Sequence, residues 1–265
     1  MNSANPSAPR CIAYAKHNRV ATITLNRPEA RNAFNADLRR ELGEIITQAL
    51  ADEEVRVVVL AAAGATFSAG ADFTDLMVPN YLPLPQLEDE YRPLLLSIAN
   101  ANKPFICAIN GAAAGIGSAF AMACDLTIMA DNACIYMAFA NLGLVPDGGA
   151  CWQLLHAMGR RRAYEAIVSG ARISAQDCQV HGLANRVVPA AELADAAQAW
   201  AEELATRSPL SLRYTKQILN RVLHTDLSEA ITWEGIPQNT CVRSQDFQEG
   251  VQAFLAKRKP EFHGH

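Results

Sequence analysis

The pattern of apolar and polar residues changes along the chain between two types. Some segments are short, apolar and rich in β-branched residues, as in strands, and others have apolar residues at helical spacing. Residues 19–25, RVATITL, and 55–63, VRVVVLAAA, are rich in β-branched residues, which predicts two strands. The second segment is apolar almost throughout, as expected of a strand covered on both faces. Between them, Leu38 and Leu42 begin a series of apolar residues at helical spacing, which predicts an amphipathic helix over 35–51.

The same succession of strand and helix continues to about residue 190. Further strands are predicted at 103–110, 125–131, 134–146 and 183–189, the third as a short strand that leads into a loop. Further helices are predicted at 87–100, 111–124, 150–158 and 173–182. Ser174 is suited to cap the last of these helices and Gly182 to end it. Alternating strands and helices are typical of an α/β fold.

The pattern divides the chain into three parts. Residues 1–10, MNSANPSAPR, are polar and predict a flexible N-terminal tail. Residues 11–190 contain the predicted strands and form the α/β core. Residues 191–265 show no strand pattern and predict a C-terminal helical region. Its helices are expected near 192–206, 209–223, 226–240 and 244–258.

Composition and charge exclude several classes of function. The 265 residues carry a net charge of −4, so a basic surface for nucleic acid is not expected. No stretch approaches the ~18 consecutive apolar residues of a membrane span. The seven cysteines include no C-x-x-C pair, which predicts free thiols and no metal site. We therefore expect a cytoplasmic protein with no nucleic-acid or membrane partner.

Two loops of small residues follow apolar strands. They read FSAGAD at 67–72 and GAAAGIG at 111–117. The second does not match a dinucleotide-binding fingerprint, because Phe120 stands where a small residue is required. Loops of this kind can direct backbone N–H groups at one carbonyl oxygen and form an oxyanion hole. They can equally serve only to let strand and helix pack closely, and composition leaves both interpretations open.

Five segments in order along the chain resemble the crotonase superfamily, the enoyl-CoA hydratases and isomerases. The resemblance implies a spiral of ββα repeats followed by a C-terminal helical region that mediates trimerisation, and it extends from about residue 12 to 262. The segments are TFSAGADF at 66–73, INGAAAGIGSAFAMACDLTIMA at 109–130, FANLGLVPDGG at 139–149, ISAQDCQVHGLANRVVP at 173–189 and EGVQAFLAKRKPEF at 249–262.

The resemblance also implies which residues bind the substrate. The thioester carbonyl of an acyl-CoA would lie between the backbone N–H groups of Ala71 and Ile116. Phe254 and Lys257 match residues that close the site for the adenine and ribose phosphate, often across a subunit boundary. The remaining residues implied in substrate or coenzyme A binding are Ala30, Arg31, Ala69, Asp72, Gly115 and Phe139.

The acidic residues depart from the hydratase pattern. Hydratases resemble one another in carrying two glutamates that activate water, and this chain has Ala119 and Phe139 at the matching positions. Asp147 falls where isomerase branches place a single catalytic carboxylate, and the motif is most similar to the Δ3,Δ2-enoyl-CoA isomerases. An aspartate before two glycines at the start of a helix is also a good N-cap, which requires no catalysis. The pattern leaves both roles open for Asp147.

The resemblance thus implies an acyl-CoA processing enzyme, and we expect an enoyl-CoA isomerase that uses Asp147 as its base. The alternatives are an enoyl-CoA hydratase or other lyase with a rearranged site, and an acyl-CoA-binding subunit without activity. No metal or redox cofactor is implied, since coenzyme A arrives as part of the substrate. The expected assembly is a homotrimer or a dimer of trimers. The larger aromatic residues can line the acyl pocket or fill the core: Tyr81, Tyr91, Trp152 and Trp233.

Overall fold

Nine strands in two sheets form the β-structure of the described part of the chain. The computed structural model describes residues 10–223 and 225–265, so nearly all of the predicted N-terminal tail lies outside the described residues. The strands are β1 (Ile12–His17), β2 (Val20–Leu25), β3 (Val57–Ala62), β4 (Phe105–Ile109), β5 (Ala112–Ala114), β6 (Leu126–Ala130), β7 (Cys134–Tyr136), β8 (Arg172–Ser174) and β9 (Arg186–Val188).

The larger sheet has six strands in the order β1-β2-β3-β4-β6-β9. Only the β1–β2 pair in this sheet is antiparallel, and the other neighbours run parallel. The smaller sheet has the order β5-β7-β8, in which β5 and β7 are parallel and β7 and β8 antiparallel. Parallel neighbours bring the carboxyl ends of β3 and β4 to the same edge, where both small-residue loops begin.

Eleven α-helices accompany these strands in the described residues. They are α1 (Ala36–Ala51), α2 (Phe73–Leu76), α3 (Pro83–Gln86), α4 (Arg92–Ala99), α5 (Ile116–Ala123), α6 (Ala150–Val168), α7 (Ala175–Val180), α8 (Leu193–Ala205), α9 (Pro209–Val222), α10 (Leu227–Val242) and α11 (Gln245–Leu255). A π-helical turn, Leu87–Tyr91, joins α3 to α4, and 3-10 turns lie at Pro28–Ala30, Ala138–Leu142 and Ala190–Glu192.

The core lies between the six-stranded sheet and the helices packed on it. All residues of β4 are buried, and so are the first four of β3, as their apolar sequences predict. Helix α8 packs along β2, β3, β4 and β6, so the first helix after residue 190 belongs to the packing of the sheet. Helix α5 carries an almost wholly apolar sequence and is buried against α4 and α6.

Most predicted elements agree with the structure, apart from the unpredicted β1, α2 and α3 and several boundaries. Strand β1 was not predicted, because its alternation ends in the exposed residues of the β1–β2 turn. The segments predicted as helices at 111–124 and 173–182 each begin with a short strand, β5 and β8, that pairs with β7. Helix α6 continues beyond residue 158 to Val168, with non-helical backbone angles at Gly159. Mixed α/β architecture with helices at the C-terminus confirms the predicted fold class.

The described residues include no helix that is both long and apolar enough to span a bilayer. In the same residues, no three histidine, cysteine, aspartate or glutamate side chains converge to form a metal site.

Candidate active site

The two small-residue loops touch each other beyond the ends of β3 and β4. The Ser68 N–H donates to Ala112 O at 3.1 Å, and the Ala114 N–H donates to Ser68 O at 2.8 Å. Gly70 has a φ of +101°, and a Cβ built on it would lie 3.1 Å from Ala114 O and 3.5 Å from the Cα of Gly115. Glycine at position 70 therefore allows the two backbones to approach closely.

Two backbone amides at this junction have no acceptor in the described residues. The Phe34 N–H donates to Gly70 O, and Phe34 O accepts from the Asp72 N–H, which leaves the amide of Ala71 between them unused. Ile116 is the first residue of α5, where an N–H has no partner within the helix. Two free donors on adjacent loops are the arrangement that can bind a carbonyl oxygen as it gains negative charge.

Asp147 lies in the loop between the 3-10 turn at Ala138–Leu142 and α6. Burial raises its pKa from 3.8 to about 6, against a smaller lowering effect of its own backbone N–H. Its Oδ1 atom is buried and has no hydrogen-bond partner among the described residues. A carboxylate that is desolvated and unpaired holds its proton more strongly and is free to exchange it with a bound molecule.

The alternative role of Asp147 as a helix cap is wrong. Helix α6 begins at Ala150, its N-cap is Gly149 with a φ of +84°, and no side chain caps it. The backbone carbonyl of Asp147 accepts from the Ala150 N–H at 3.0 Å, so the turn uses the main chain and leaves the carboxylate out.

Gly148 places this acid beside the second small-residue loop. A Cβ built on Gly148 would lie 2.4 Å from Cδ1 of Ile116, 2.8 Å from Cβ of Ala119 and 3.4 Å from Cδ1 of Leu95. The backbone next to Asp147 thus packs directly on α5, the helix that presents the Ile116 amide. Gly148, where there is no room for a side chain, thus brings the loop of Asp147 into contact with the first turn of α5.

Ala119 and Phe139 occupy the surroundings of the site and cannot move protons. Ala119 is fully buried, with its Cβ facing Gly148. Phe139 is 7% exposed, and its Cζ lies 3.9 Å from a Cβ built on Gly115. The two positions that resemblance to hydratases assigns to glutamates therefore carry apolar side chains, one packed on Gly148 and one beside Gly115.

Four of the residues expected to bind coenzyme A come together around one loop. The Ala69 N–H donates to Arg31 O at 2.9 Å, and Ala30 ends the 3-10 turn that precedes Arg31. Asp72 pairs with Nη1 of Arg27 at 3.0 Å and caps α2 through the Thr74 N–H. The Asp72 carboxylate thus joins its own loop to the segment of Arg27. Burial alone would raise the pKa of Asp72, but the hydrogen bonds from Thr74 and Arg27 lower it.

Phe254 and Lys257 belong to the last helix, α11, and the residues just after it. Phe254, near the end of α11, is 83% exposed, and Lys257 follows the helix with a φ of +55°. No hydrogen bond or ion pair within the described chain joins either of them to Ala30 or Arg31. Their predicted place at the adenine and ribose phosphate remains a prediction.

The aromatic residues left open by the sequence divide between core and site. Tyr91 is 3% exposed and packs edge-on against Phe34, which stacks on Phe120 at a centroid distance of 4.6 Å. Tyr81 is partly buried, and its hydroxyl donates to Oε1 of Gln86 at 2.8 Å. Trp152, in the first turn of α6, lines a groove with Gly148 and Gly149, and Trp233 lies on α10.

The sequence interpretation missed Arg39. This arginine on α1 is 4% exposed and contacts Asp75, Glu90 and Tyr91. A signal was present, because Arg39 precedes Leu42 by three residues and Ile46 by seven and so lies on the apolar face of the helix.

Residues 15–265 match the model of a family described as enoyl-CoA hydratase/isomerase. The chain belongs to this family. The assignment confirms the resemblance to the crotonase superfamily, and it makes the protein an enzyme of a family that acts on acyl-CoA.

Relatives within the enoyl-CoA hydratase/isomerase family carry both kinds of name. The chain is 41% identical to the 1,2-epoxyphenylacetyl-CoA isomerase of Escherichia coli strain K12 over 249 residues, covering 92% of this chain and 95% of that protein. It is 36% identical to a probable enoyl-CoA hydratase of Rhodobacter capsulatus, covering 96% of this chain and 98% of that protein. The crystal structure of an enoyl-CoA hydratase from Bacillus anthracis superposes with a TM-score of 0.92 at 32% identity, covering 96% of this chain and 100% of that one.

Proposed function

We propose that this enoyl-CoA hydratase/isomerase family enzyme is a double-bond isomerase that uses Asp147 as its one proton carrier. The observation that carries the proposal is the buried Oδ1 of Asp147, without a hydrogen-bond partner in the described residues and next to the loop that presents a free amide. An isomerisation of this kind needs one base that returns the same proton, whereas hydration needs groups that orient and activate water.

The reaction conserves atoms and charge. The carboxylate of Asp147 takes a proton from C2 of a 3-enoyl thioester, and the C–H electron pair forms a dienolate whose negative charge rests on the thioester oxygen. The N–H groups of Ala71 and Ile116 stabilise that oxygen, as preorganised donors do in an oxyanion hole. The protonated Asp147 then gives its proton to C4, and the 2-enoyl thioester forms.

The pKa of Asp147 supports a role as a reversible base. A carboxylate with a pKa of about 6 is ionised at neutral pH and is a stronger base than an exposed aspartate, so it can both accept and return a proton. Ala119 and Phe139 offer no second acid near it to activate water. Hydration by two carboxylates is therefore disfavoured at this site.

A second candidate reaction uses the same residues on a different acyl group. The relative that is 41% identical is named for the isomerisation of 1,2-epoxyphenylacetyl-CoA. The groove that begins at Gly148 and Gly149 has a volume of about 750 Å³ and is lined largely by apolar side chains of α4, α6 and α9. A space of this kind suits a bulky apolar acyl group.

The proposal includes the binding of coenzyme A and the assembly. The loop with Ala30, Arg31, Ala69 and Asp72 would hold the coenzyme, Gly115 and Phe139 would border the thioester, and no resident cofactor or metal is involved. Phe254 and Lys257 would act from a neighbouring subunit. Exposed apolar residues on the C-terminal helices support a trimer or a dimer of trimers, among them Leu227, Ile231, Ile236 and Leu255.

The test is turnover of three substrates by the purified protein: a 3-enoyl-CoA, a 2-enoyl-CoA and 1,2-epoxyphenylacetyl-CoA. Wild type is expected to isomerise the first, or the third if the second candidate holds, and not to hydrate the 2-enoyl-CoA. Asp147→Asn should lower kcat by about 10²–10⁴-fold, the usual contribution of a general base. Asp195→Asn, an exposed aspartate in the first turn of α8, is the matched control and should keep wild-type activity.

Three results would contradict the proposal. Wild-type activity in Asp147→Asn would show that the base lies elsewhere. Hydration of the 2-enoyl-CoA as the main activity would identify a hydratase with a rearranged site. Tight binding of acyl-CoA without turnover of any of the three substrates would indicate a binding subunit.

A further inference from the structure

Arg39 is a buried charge on the apolar face of α1. Its side chain is 4% exposed, whereas the side chain of its neighbour Arg40 is 48% exposed and pairs along the same helix with Asp37 and Glu44. A guanidinium is costly to bury, and several donated hydrogen bonds must compensate for the loss of water. The contacts of Arg39 therefore show which part of the chain it stabilises.

Those contacts hold both ends of one segment, residues 73–91. Near its start, Nη1 of Arg39 donates to Oδ2 of Asp75 at 2.7 Å. At its end, Nε donates to Oε2 of Glu90 at 2.5 Å, and the guanidinium lies 5.2 Å from the ring centroid of Tyr91. Nη1 also donates to Phe34 O at 2.8 Å, which fixes the guanidinium to the chain that leads into α1.

The end of the 73–91 segment connects rigidly to the loop of Asp147. The π-helical turn Leu87–Tyr91 continues without a break into α4. One turn later, Cδ1 of Leu95 lies 3.4 Å from a Cβ built on Gly148, the neighbour of Asp147. Tyr91 also packs at 6.3 Å, centroid to centroid, against Phe120 of α5. π-Helical turns are rare and frequently occur at functional sites.

Two tyrosines of the segment feel the charge of Asp147. Burial raises the pKa of Tyr81, and the charge of Asp147 raises it further. Burial also raises the pKa of Tyr91, against the lowering effect of Arg39 and with a smaller raising effect of Asp147. The other charged groups that act on Tyr81 are Arg39, Asp75 and Glu90, and Arg39 is paired by the two acids. The larger apolar side chains in the middle of the segment are exposed, so the contact that reaches the loop of Asp147 is that of Leu95, which follows the segment in α4.

We propose that Arg39 is a positioning residue for the reaction, because its forked hydrogen bonds hold both ends of the 73–91 segment and with it the start of α4, whose Leu95 packs on Gly148 and keeps water from the neighbouring Asp147. The inference rests on the proposed function of Asp147 as the base. Arg39 acts through the segment and does not touch the substrate.

Loosening of the 73–91 segment is expected to lower the pKa of Asp147. Water that reaches Asp147 removes the desolvation that raises the pKa of its carboxyl group, so this pKa moves down from about 6 toward 3.8. A carboxylate with a lower pKa is a weaker base, so kcat falls while the acid limb of the pH profile moves to lower pH. A role of Arg39 in global stability alone would not move the acid limb.

The experiment compares Arg39→Lys with Arg40→Lys. Lysine keeps the charge and the helix propensity but lacks the planar fork of donors, so the first variant tests the geometry of the contacts. For Arg39→Lys we expect faster hydrogen–deuterium exchange in residues 73–91, an acid limb of kcat/KM lower by roughly half to one pH unit, and kcat lower by about tenfold with little change in KM. Arg40→Lys should match wild type in all three.

Several outcomes would overturn the inference. Unchanged exchange in residues 73–91 of Arg39→Lys would show that the fork does not hold the segment. Faster exchange with an unmoved acid limb would show that the segment does not keep water from Asp147. If Arg39→Lys does not fold, Asp75→Asn decides by the same readouts, because it releases one end of the segment at a partly exposed position. Failure of the proposed function is distinguishable, because it appears as retained activity in Asp147→Asn, whereas exchange in the Arg39 variant reports on the segment itself.

Discussion

The carboxylate of Asp147 is buried on one side without a donor, and this arrangement works against folding at neutral pH. Burial raises its pKa to about 6 from 3.8, so the folded chain binds a proton more tightly than the unfolded chain does. The stabilisation that this tighter proton binding gives to the folded chain is fully present below pH 3.8 and is lost as the pH rises through about 6. Sites that bind and transform ligands commonly retain such destabilising groups because the chemistry requires them.

At the scale of this residue, we predict that Asp147→Asn is more stable than wild type at alkaline pH. A shift of about two pKa units, reduced for partial access of water, corresponds to a gain on the order of 1–3 kcal/mol in the free energy of unfolding at pH 8. The gain should become small at about pH 3, below both pKa values, where the carboxyl group is mostly protonated in both states. Urea denaturation of both proteins at the two pH values measures it, and equal stability at pH 8 would contradict the buried, unpaired carboxylate.

At the scale of elements, the site depends on loops whose backbones touch. The carboxyl ends of β3 and β4 lie side by side, Gly70 approaches Gly115, and Gly148 presses on α5. The strands and helices are rigid and their loops are in van der Waals contact, so each reacting group has little freedom to move. A methyl group at one of these glycines tests that claim.

We predict that Gly148→Ala lowers both stability and activity, and that Gly143→Ala in the same loop lowers stability only slightly. Both glycines have positive φ, +59° and +71°, so both substitutions strain the backbone by about 1 kcal/mol. Only at 148 would the new Cβ meet Ile116 and Ala119, and displacing the acid by about 1 Å can cost as much as 10²-fold in rate. Thermal unfolding and isomerase kinetics of both variants measure the difference, and similar kinetics in the two would contradict it.

The sequence predicted most elements but not every local geometry of the site. Periodicity was sufficient for α1, α9 and α11, because a continuous apolar face defines each helix. It did not distinguish a cap from a base at Asp147, since that choice depends on Gly149 adopting positive φ and taking the N-cap position. Arg39 was missed because its ion-pair partners, Asp75 and Glu90, lie far from it in the sequence. A single charged residue on an apolar helix face does not reveal such partners.

At the scale of the whole molecule, polar contacts join α9 of the C-terminal region to the core. Nζ of Lys216 on α9 donates to Ile98 O at 2.7 Å and to Oδ2 of Asp125 at 2.8 Å, and Asn220 donates to Ala99 O at 2.8 Å. Moving α9 away from the core would leave a buried charge without its partner, which is costly. The pair of Lys216 and Asp125 therefore fixes where α9 lies. These contacts hold α9 as one side of the groove that Gly148 and Gly149 also line, so the helical region and the core form it together.

The central claim is that one buried carboxylate moves the proton, and the pH dependence of kcat/KM for wild-type isomerisation tests it most directly. In the free enzyme, kcat/KM follows the ionisation of the essential base. For wild type we expect a single acid limb with an apparent pKa near 6 and a plateau above it, and for the residual activity of Asp147→Asn we expect no such limb. An acid limb near pH 4, or a rate independent of pH between about 5 and 8, would contradict a desolvated Asp147 as the base.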